Sequence, residues 1–88
     1  MARFMAVHNP AVEATQDQMI DGIKRVIASQ PPETEWIRSW VVPEEGKLYC
    51  EWEAPNADTI RASLEQVADL IPIEAIYEVQ LIEPEWYK

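Results

Sequence analysis

The residues of this chain that are best suited to chemistry are its one histidine, His8, and its one cysteine, Cys50. Imidazole titrates near neutral pH and binds transition metals, so His8 is a metal ligand, an acid or base, or a strand-end histidine hydrogen-bonded to a neighbour. A cysteine sulfur is a soft ligand, and a sulfur–nitrogen pair suits nickel, zinc or copper. Cys50 is otherwise a small buried hydrophobic residue, as most free cysteines are.

A second set of candidates consists of charged and aromatic side chains. Glu51 and Glu53 are two residues apart, a spacing that points both carboxylates to one face of a strand, where they ligate a hard cation, line a polar cavity or form a solvated pair. Arg38 is suited to pairing with one of them or to binding an anion. The aromatic residues are expected to line a small-molecule pocket or to anchor a subunit interface. They are Trp36, Trp40, Tyr49, Trp52, Tyr77, Trp86 and Tyr87.

The sequence contains no motif that specifies a catalytic reaction. It has no CxxC, HExxH, P-loop or GxGxxG pattern, and its two glycines cannot build a phosphate cradle. With one histidine, neither a Ser-His-Asp nor a Cys-His-Asn triad has a spacing motif to support it. A Cys50–His8 dyad is the one catalytic pair left to consider.

Length, composition and net charge limit the classes of protein to which the chain can belong. The 88 residues are 48% hydrophobic and 26% charged, which predicts one globular domain over residues 1–88 with a small core. Seven basic residues against sixteen acidic ones give a net charge of −9, which argues against nucleic acid and against an anionic membrane surface as partners. No stretch approaches the roughly 20 apolar residues of a membrane span. A single cysteine allows no intrachain disulfide, which suits a reducing, cytoplasmic location.

Prolines divide the chain into six segments of the size of single elements. Strands are predicted at residues 3–8, 35–42, 47–54 and 74–83, and helices at residues 15–30 and 57–71. Thr15 and Gln18 form a predicted capping box at the first helix. The order β-α-β-β-α-β predicts a ferredoxin-like α+β fold with both helices on one face of a four-stranded antiparallel sheet.

The predicted sheet determines which side chains meet. Alternation puts Trp36, Arg38, Trp40 and Val42 on one face of the second strand, and it puts Leu48, Cys50, Trp52 and Ala54 on one face of the third. The first and third strands are expected to be central neighbours, which brings His8 towards Cys50. The sheet face without helices would expose an aromatic patch, so we expect a homodimer that packs sheet against sheet.

Three sequence segments resemble a family of small bacterial proteins of unknown function that includes nickel-binding, nickel-responsive members. They are FMAVH at residues 4–8, WVV at residues 40–42 and GKLYCEWEAP at residues 46–55, which are similar to the family patterns FMDxH, YWV and GKxxCxxEAP. The resemblance implies a ferredoxin-like protein of the dimeric α/β-barrel type. His8 and Cys50 match the histidine and cysteine of these motifs, which implies a site for nickel or another transition metal, and Glu53 matches the glutamate of EAP.

The chain also departs from the family pattern. Ala6 stands where many members have Asp, and the second helix lacks the histidines that many members carry there. A metal site would therefore need ligands shared across a dimer, or Glu and water.

Three functions follow as hypotheses. The first is a small homodimeric protein that binds a transition metal or a small organic ligand through His8 and Cys50. The alternative is a small dimeric α/β-barrel enzyme, similar to monooxygenases and isomerases, that uses an aromatic pocket with the same two residues. The third is an interaction module, which predicts a filled interface and no pocket near His8.

Overall fold

A computed structural model describes residues 1–10 and 13–88. The elements are β1 (Ala2–His8), α1 (Gln16–Ala28), β2 (Glu35–Val42), β3 (Lys47–Ala54), α2 (Ala57–Leu64) and β4 (Ile73–Val79), with 3₁₀ turns at Glu65–Val67 and Pro84–Tyr87. No helix in these described ranges is long and apolar enough to cross a membrane.

The four strands form one antiparallel sheet in the order β2-β3-β1-β4. This order, with two helices between the strands, confirms the ferredoxin-like α+β fold that the element sequence predicts. β1 and β3 are the central pair, and Ala6 lies opposite Cys50 while His8 lies opposite Leu48. The first and third motifs of the sequence therefore lie side by side at the middle of the sheet.

The core lies between one face of the sheet and both helices. Phe4 and Trp52 from the central strands pack in one cluster with Val26 of α1 and with Ile60 and Leu64 of α2. Each fully buried aliphatic side chain of this kind stabilises the fold by about 1.5–3 kcal/mol. The face that carries Phe4 and Trp52 is hereafter the helix-covered face, and the other is the open face.

The second helix begins at the predicted residue Ala57, and the first begins at Gln16, one residue after its predicted start, with Thr15 as its N-cap. Thr15 accepts a hydrogen bond from the Gln18 backbone nitrogen, and the Gln18 side chain accepts one from the Thr15 backbone nitrogen, which completes the predicted capping box. Asn56 caps α2 by accepting a hydrogen bond from the Thr59 backbone nitrogen at 3.0 Å. Polar side chains thus satisfy backbone donors that a helix start leaves unpaired.

Three elements are shorter than predicted. The first helix ends at Ala28 rather than at residue 30. The second helix ends at Leu64 and tightens into a 3₁₀ turn over Glu65–Val67 instead of running to residue 71, since the last turns of helices often become 3₁₀. β4 ends at Val79 rather than at residue 83. Val79 pairs with Arg3 near the start of β1, so the chain beyond it has no neighbouring strand to pair with.

Candidate ligand-binding site

A cavity of about 430 Å³ lies between the helix-covered face of the sheet and the helices. Its wall combines apolar side chains of α1, including Met19 and Ile23, with side chains of the three strands β1, β2 and β3. No Asp, Glu, Lys or Arg of the described ranges lines it. The volume falls within the range of about 300–1,000 Å³ that is typical of small-molecule sites.

His8 is the last residue of β1, and its fully buried side chain lines the cavity. Its Nδ1 lies 3.3 Å from the carbonyl oxygen of Ile71. Because a carbonyl only accepts, Nδ1 carries the proton of the neutral ring and Nε2 is left as an acceptor. Among the described residues, Nε2 has no hydrogen-bond partner.

The local backbone explains why the ring is held in this position. The pairing of β1 with β4 shifts between Val7 and His8, so that His8 lies opposite Ile73. Beyond the strand, the Asn9 backbone nitrogen donates to the Pro72 carbonyl at 3.1 Å. These contacts bring the turn before β4 against the end of β1 and place the Ile71 carbonyl at the imidazole.

Burial controls the charge of the imidazole. Desolvation lowers the pKa of His8 below its ordinary value of 6.5, and hydrogen bonds to the backbone carbonyls of Ile71 and Pro72 oppose this effect only in part. The ring is therefore neutral at physiological pH.

Cys50 lines the same cavity from β3 and forms part of a short hydrogen-bond chain. The Trp36 Nε1 donates to the Ser39 hydroxyl oxygen at 2.7 Å, and the Ser39 hydroxyl donates to the Cys50 sulfur at 2.9 Å. Burial raises the pKa of the Cys50 thiol to about 11, although the Ser39 hydrogen bond works in the opposite direction. Cys50 is a protonated thiol at neutral pH and not an activated nucleophile.

The sheet register defines how His8 and Cys50 are related. His8 lies opposite Leu48, two residues before Cys50 on the same face, and such diagonal neighbours are about 7–8 Å apart in a sheet. At that separation the two side chains do not bond each other directly.

Two tryptophans complete the wall. Trp52 is fully buried at the centre of the sheet, and its ring stacks on that of Trp36 with centroids 6.1 Å apart and planes inclined by 15°. In the part of the chain that the structure describes, the Trp52 Nε1 has no acceptor. Two of the residues around the cavity, His8 and Trp52, therefore each carry one buried polar atom without a partner among the described residues, and neither atom has accessible surface.

The described residues do not form a complete transition-metal site. No group of three or more His, Cys, Asp or Glu side chains within residues 1–10 and 13–88 is placed to hold a metal ion. His8 and Cys50 offer two ligands, one of them a protonated thiol, whereas structural and catalytic metal sites use three or four protein ligands. A nickel ion at this pair would need ligands from elsewhere.

The other predicted site residues lie on the open face. A register shift at Ile37 places Arg38 opposite Glu51 and Trp40 opposite Tyr49, while Trp36 stays opposite Trp52 on the helix-covered face. The prediction that alternation keeps Trp36, Arg38, Trp40 and Val42 on one face is therefore wrong. A bulged residue inverts the alternation of every residue after it.

The open face carries a charge network at its centre. Arg3 pairs with Glu51 and with Glu53, the latter at 3.3 Å, and Arg38 Nε lies 3.3 Å from Glu51. The sequence anticipates a pairing of Arg38 with one of these carboxylates, and the structure bears it out. Tyr49 donates to the Glu45 carboxylate at 2.8 Å. Arg38, Trp40, Tyr49, Glu51 and Glu53 therefore do not contribute to the cavity.

Sequence reasoning missed some groups that define the cavity. Ser39, which bonds the Cys50 sulfur, reaches the helix-covered face only because of the bulge. The carbonyl of Ile71 is a backbone group, so no residue type in the sequence marks its contact with His8. Ile23 could have been found, because the apolar spacing of the first helix marks its buried face.

Comparisons with known proteins agree with this architecture. A family model described as "Nickel responsive protein SCO4226-like" matches residues 4–79. The crystal structure of SCO4226 from Streptomyces coelicolor A3(2) superposes with a TM-score of 0.72 and 28% sequence identity, over 93% of this chain and 100% of that one. A structural-genomics protein, YJCS, has a TM-score of 0.53 and 14% identity over 91% of this chain and 97% of its own, which shows the fold alone. No curated protein matches the chain.

Proposed function

The chain belongs to the SCO4226-like family of nickel responsive proteins, and we propose that it binds a small organic molecule in the cavity between sheet and helices. The observation that carries this proposal is a cavity of about 430 Å³ whose lining, among the described residues, is mainly apolar and contains no charged side chain. Burial of an apolar ligand against such a lining is favoured by about 25 cal/mol per Å² of apolar surface removed from water.

Nickel is the second candidate ligand. The name of the family supports it, and so does the presence of a nitrogen and a sulfur ligand, His8 and Cys50, in one cavity. The absence of a third ligand among the described residues weighs against a site within one chain. For this reason the geometry supports the organic ligand better.

Catalysis has weaker support from the geometry than binding has. The enzyme hypothesis requires an enclosed aromatic pocket with a titratable group, and the cavity near His8 supports it in part, since two tryptophans line it but it is partly open. However, Nδ1 of His8 bonds a backbone carbonyl rather than a carboxylate that could stabilise a protonated ring, and Cys50 is a protonated thiol. Neither residue is prepared to transfer a proton or to attack a substrate.

The homodimer is part of the same proposal. The open face exposes Trp40 and Tyr77, which are 47% and 58% exposed, beside the internally paired charges of Arg3, Glu51 and Glu53. A face with aromatic side chains and balanced charge suits a second copy of itself, since neither like-charge repulsion nor unpaired charge opposes the contact.

Calorimetric titration of the protein without a histidine tag tests the ligand proposal. The probe is 2-methoxynaphthalene, which is apolar and uncharged, and we expect saturable binding of one molecule per chain. Ile23→Trp fills the cavity and should abolish binding. The matched control is Ile20→Trp, because Ile20 is on the same helix but 41% exposed and outside the cavity wall.

A wild-type protein without saturable binding of 2-methoxynaphthalene, or equal loss in both tryptophan variants, would contradict the proposal. A parallel titration with nickel chloride, with zinc as comparison, tests the second candidate. Saturable nickel binding that is lost in both His8→Phe and Cys50→Ala would support it, and binding that neither substitution changes would exclude this pair as the site.

A further inference from the structure

We infer that the C-terminal tail, residues 80–88, packs against a second copy of this chain and contributes to the dimer contact at the open face. This inference rests on the proposed homodimer and adds to it a segment that lies outside the sheet. The tail begins where β4 ends at Val79, and it lies beyond residues 4–79, the range that the family model matches.

The tail exposes an unusual amount of apolar surface. All nine of its residues are exposed, and four of them are large and apolar. The exposed fractions of these side chains are 45% for Leu81, 70% for Ile82, 60% for Trp86 and 77% for Tyr87. Soluble proteins that act alone rarely expose large apolar side chains as a group, and such groups mark sites of interaction.

The polar contacts of the tail hold its own shape but do not attach it to the rest of the chain. The Trp86 backbone nitrogen donates to the Glu83 carbonyl at 3.0 Å, and Lys88 pairs with Glu85 at 2.9 Å. In the part of the chain that the structure describes, no side-chain hydrogen bond or ion pair joins residues 80–88 to any other residue. The radius of gyration, 13.6 Å, exceeds the roughly 12 Å of a compact 88-residue domain, which agrees with a projecting segment.

The tail continues the open face beyond the edge of the sheet. Val79 lies opposite Arg3, and Tyr77 is two residues before Val79, so both point to the open face. Alternation carried two residues further would place Leu81 in the same row. The chain thus leaves the sheet beside the surface on which the proposed second copy lies. A different partner on the tail would compete with that copy for space.

The exposed area of the tail is large enough to matter to a dimer. An aromatic side chain contributes about 150–250 Å², so the exposed parts of Trp86 and Tyr87 amount to about 200–350 Å². A specific interface buries about 800 Å² on each partner, of which these two side chains would supply about a quarter or more. In a two-fold dimer each copy offers its tail to the other, so the contribution is made twice.

Hydrogen–deuterium exchange of the full chain tests the inference at two protein concentrations, one above and one below the dissociation constant of the dimer. We expect the amides of the Pro84–Tyr87 turn and of Lys88 to exchange about tenfold more slowly at the higher concentration, because packing on the second copy keeps the hydrogen bonds of this turn closed. The amides of α1, on the other side of the sheet, should exchange equally at both concentrations.

A substitution in the tail measures its contribution to the affinity of the dimer. Trp86→Ala should raise the dissociation constant about tenfold in sedimentation equilibrium, because tryptophans are enriched among the side chains that dominate interface energies. The matched control is Ile27→Ala, which should leave the constant unchanged, since Ile27 is 57% exposed but belongs to α1. Both side chains are exposed in the single chain, so both variants should keep the fold, which circular dichroism checks.

The outcomes separate this inference from the proposed dimer. Tail amides that exchange equally at both concentrations, or equal dissociation constants for Trp86→Ala and Ile27→Ala, would overturn the inference and leave the sheet-to-sheet dimer in place. A protein that is monomeric at every concentration would overturn both.

Discussion

At the scale of single residues, the fold constrains the chemistry of His8 more than its sequence position does. The imidazole is fully buried, and its Nδ1 donates a hydrogen bond to the backbone carbonyl of Ile71. Its Nε2 has no partner among the described residues. Such a ring acts as a neutral acceptor and not as a cation. The same burial also couples its protonation to the stability of the whole protein.

His8 should make the protein less stable as the pH falls. Its pKa is 6.5 in the unfolded chain and lower in the folded one, so below pH 6.5 the unfolded state binds the proton first. We expect the free energy of unfolding, measured with urea, to fall more between pH 7.5 and pH 5.5 in the wild type than in His8→Phe. The substitution should reduce the dependence of the free energy of unfolding on pH by at most about 1.4 kcal/mol per pH unit.

The comparison with His8→Phe is needed because carboxylates also titrate as the pH falls, and they do so equally in both proteins. If both proteins lost the same stability over this range, His8 would not be a buried neutral group.

At the scale of elements, one extra residue in β2 decides what the cavity contains. The register shift at Ile37 keeps Trp36 on the helix-covered face and adds Ser39 to it, while Arg38 and Trp40 face the other way. Without it, alternation would point Arg38 and Trp40 towards the core and Ser39 towards the open face. The bulge thus keeps charge out of the cavity and supplies the hydroxyl that bonds Cys50.

The first helix should depend on its N-terminal cap. Thr15→Ala removes the side-chain acceptor of the Gln18 backbone nitrogen and should lower the free energy of unfolding by about 1 kcal/mol. Thr15→Ser keeps the hydroxyl and serves as the matched control. Urea unfolding measures both, and equal stability of the two variants would mean that the capping box contributes nothing.

At the scale of the whole molecule, net charge and local charge differ. The chain carries −9, yet the centre of the open face is neutral because Arg3 and Arg38 pair with Glu51 and Glu53. Two copies could meet there without bringing their excess negative charge into contact. The residual charge would stay at the periphery, where it favours solubility.

The proposed dimer predicts a mass of about 20 kDa in sedimentation equilibrium, twice the 10.2 kDa of one chain. Trp40→Glu should shift the mass towards 10.2 kDa, because a carboxylate without a partner would be buried at the sheet-to-sheet contact. Val41→Glu is the matched control, since its side chain lies one residue along the same strand on the opposite face and is 72% exposed. A wild-type protein with the 10.2 kDa mass of one chain would refute the dimer.

Local patterns in the amino-acid sequence predict the elements of the fold and their order. Proline positions, helical spacing and the cap at Thr15 are local signals, and they predict the starts of both helices to within one residue and the bounds of β2 and β3 correctly. The right-handed crossover rule then leaves one arrangement, in which β1 and β3 are neighbours and His8 faces the same side as Cys50. The positions of His8 and Cys50 at the cavity follow from these patterns.

Other features of the cavity and its surroundings come from long-range contacts in the folded chain. The bulge at Ile37, the approach of the Ile71 carbonyl to His8 and the missing acceptor at Trp52 depend on contacts between residues far apart in the chain. No local periodicity encodes a register shift, since a strand with a bulge and one without have the same residue types. Which buried polar atoms of the described residues end without a hydrogen-bond partner is likewise decided by packing.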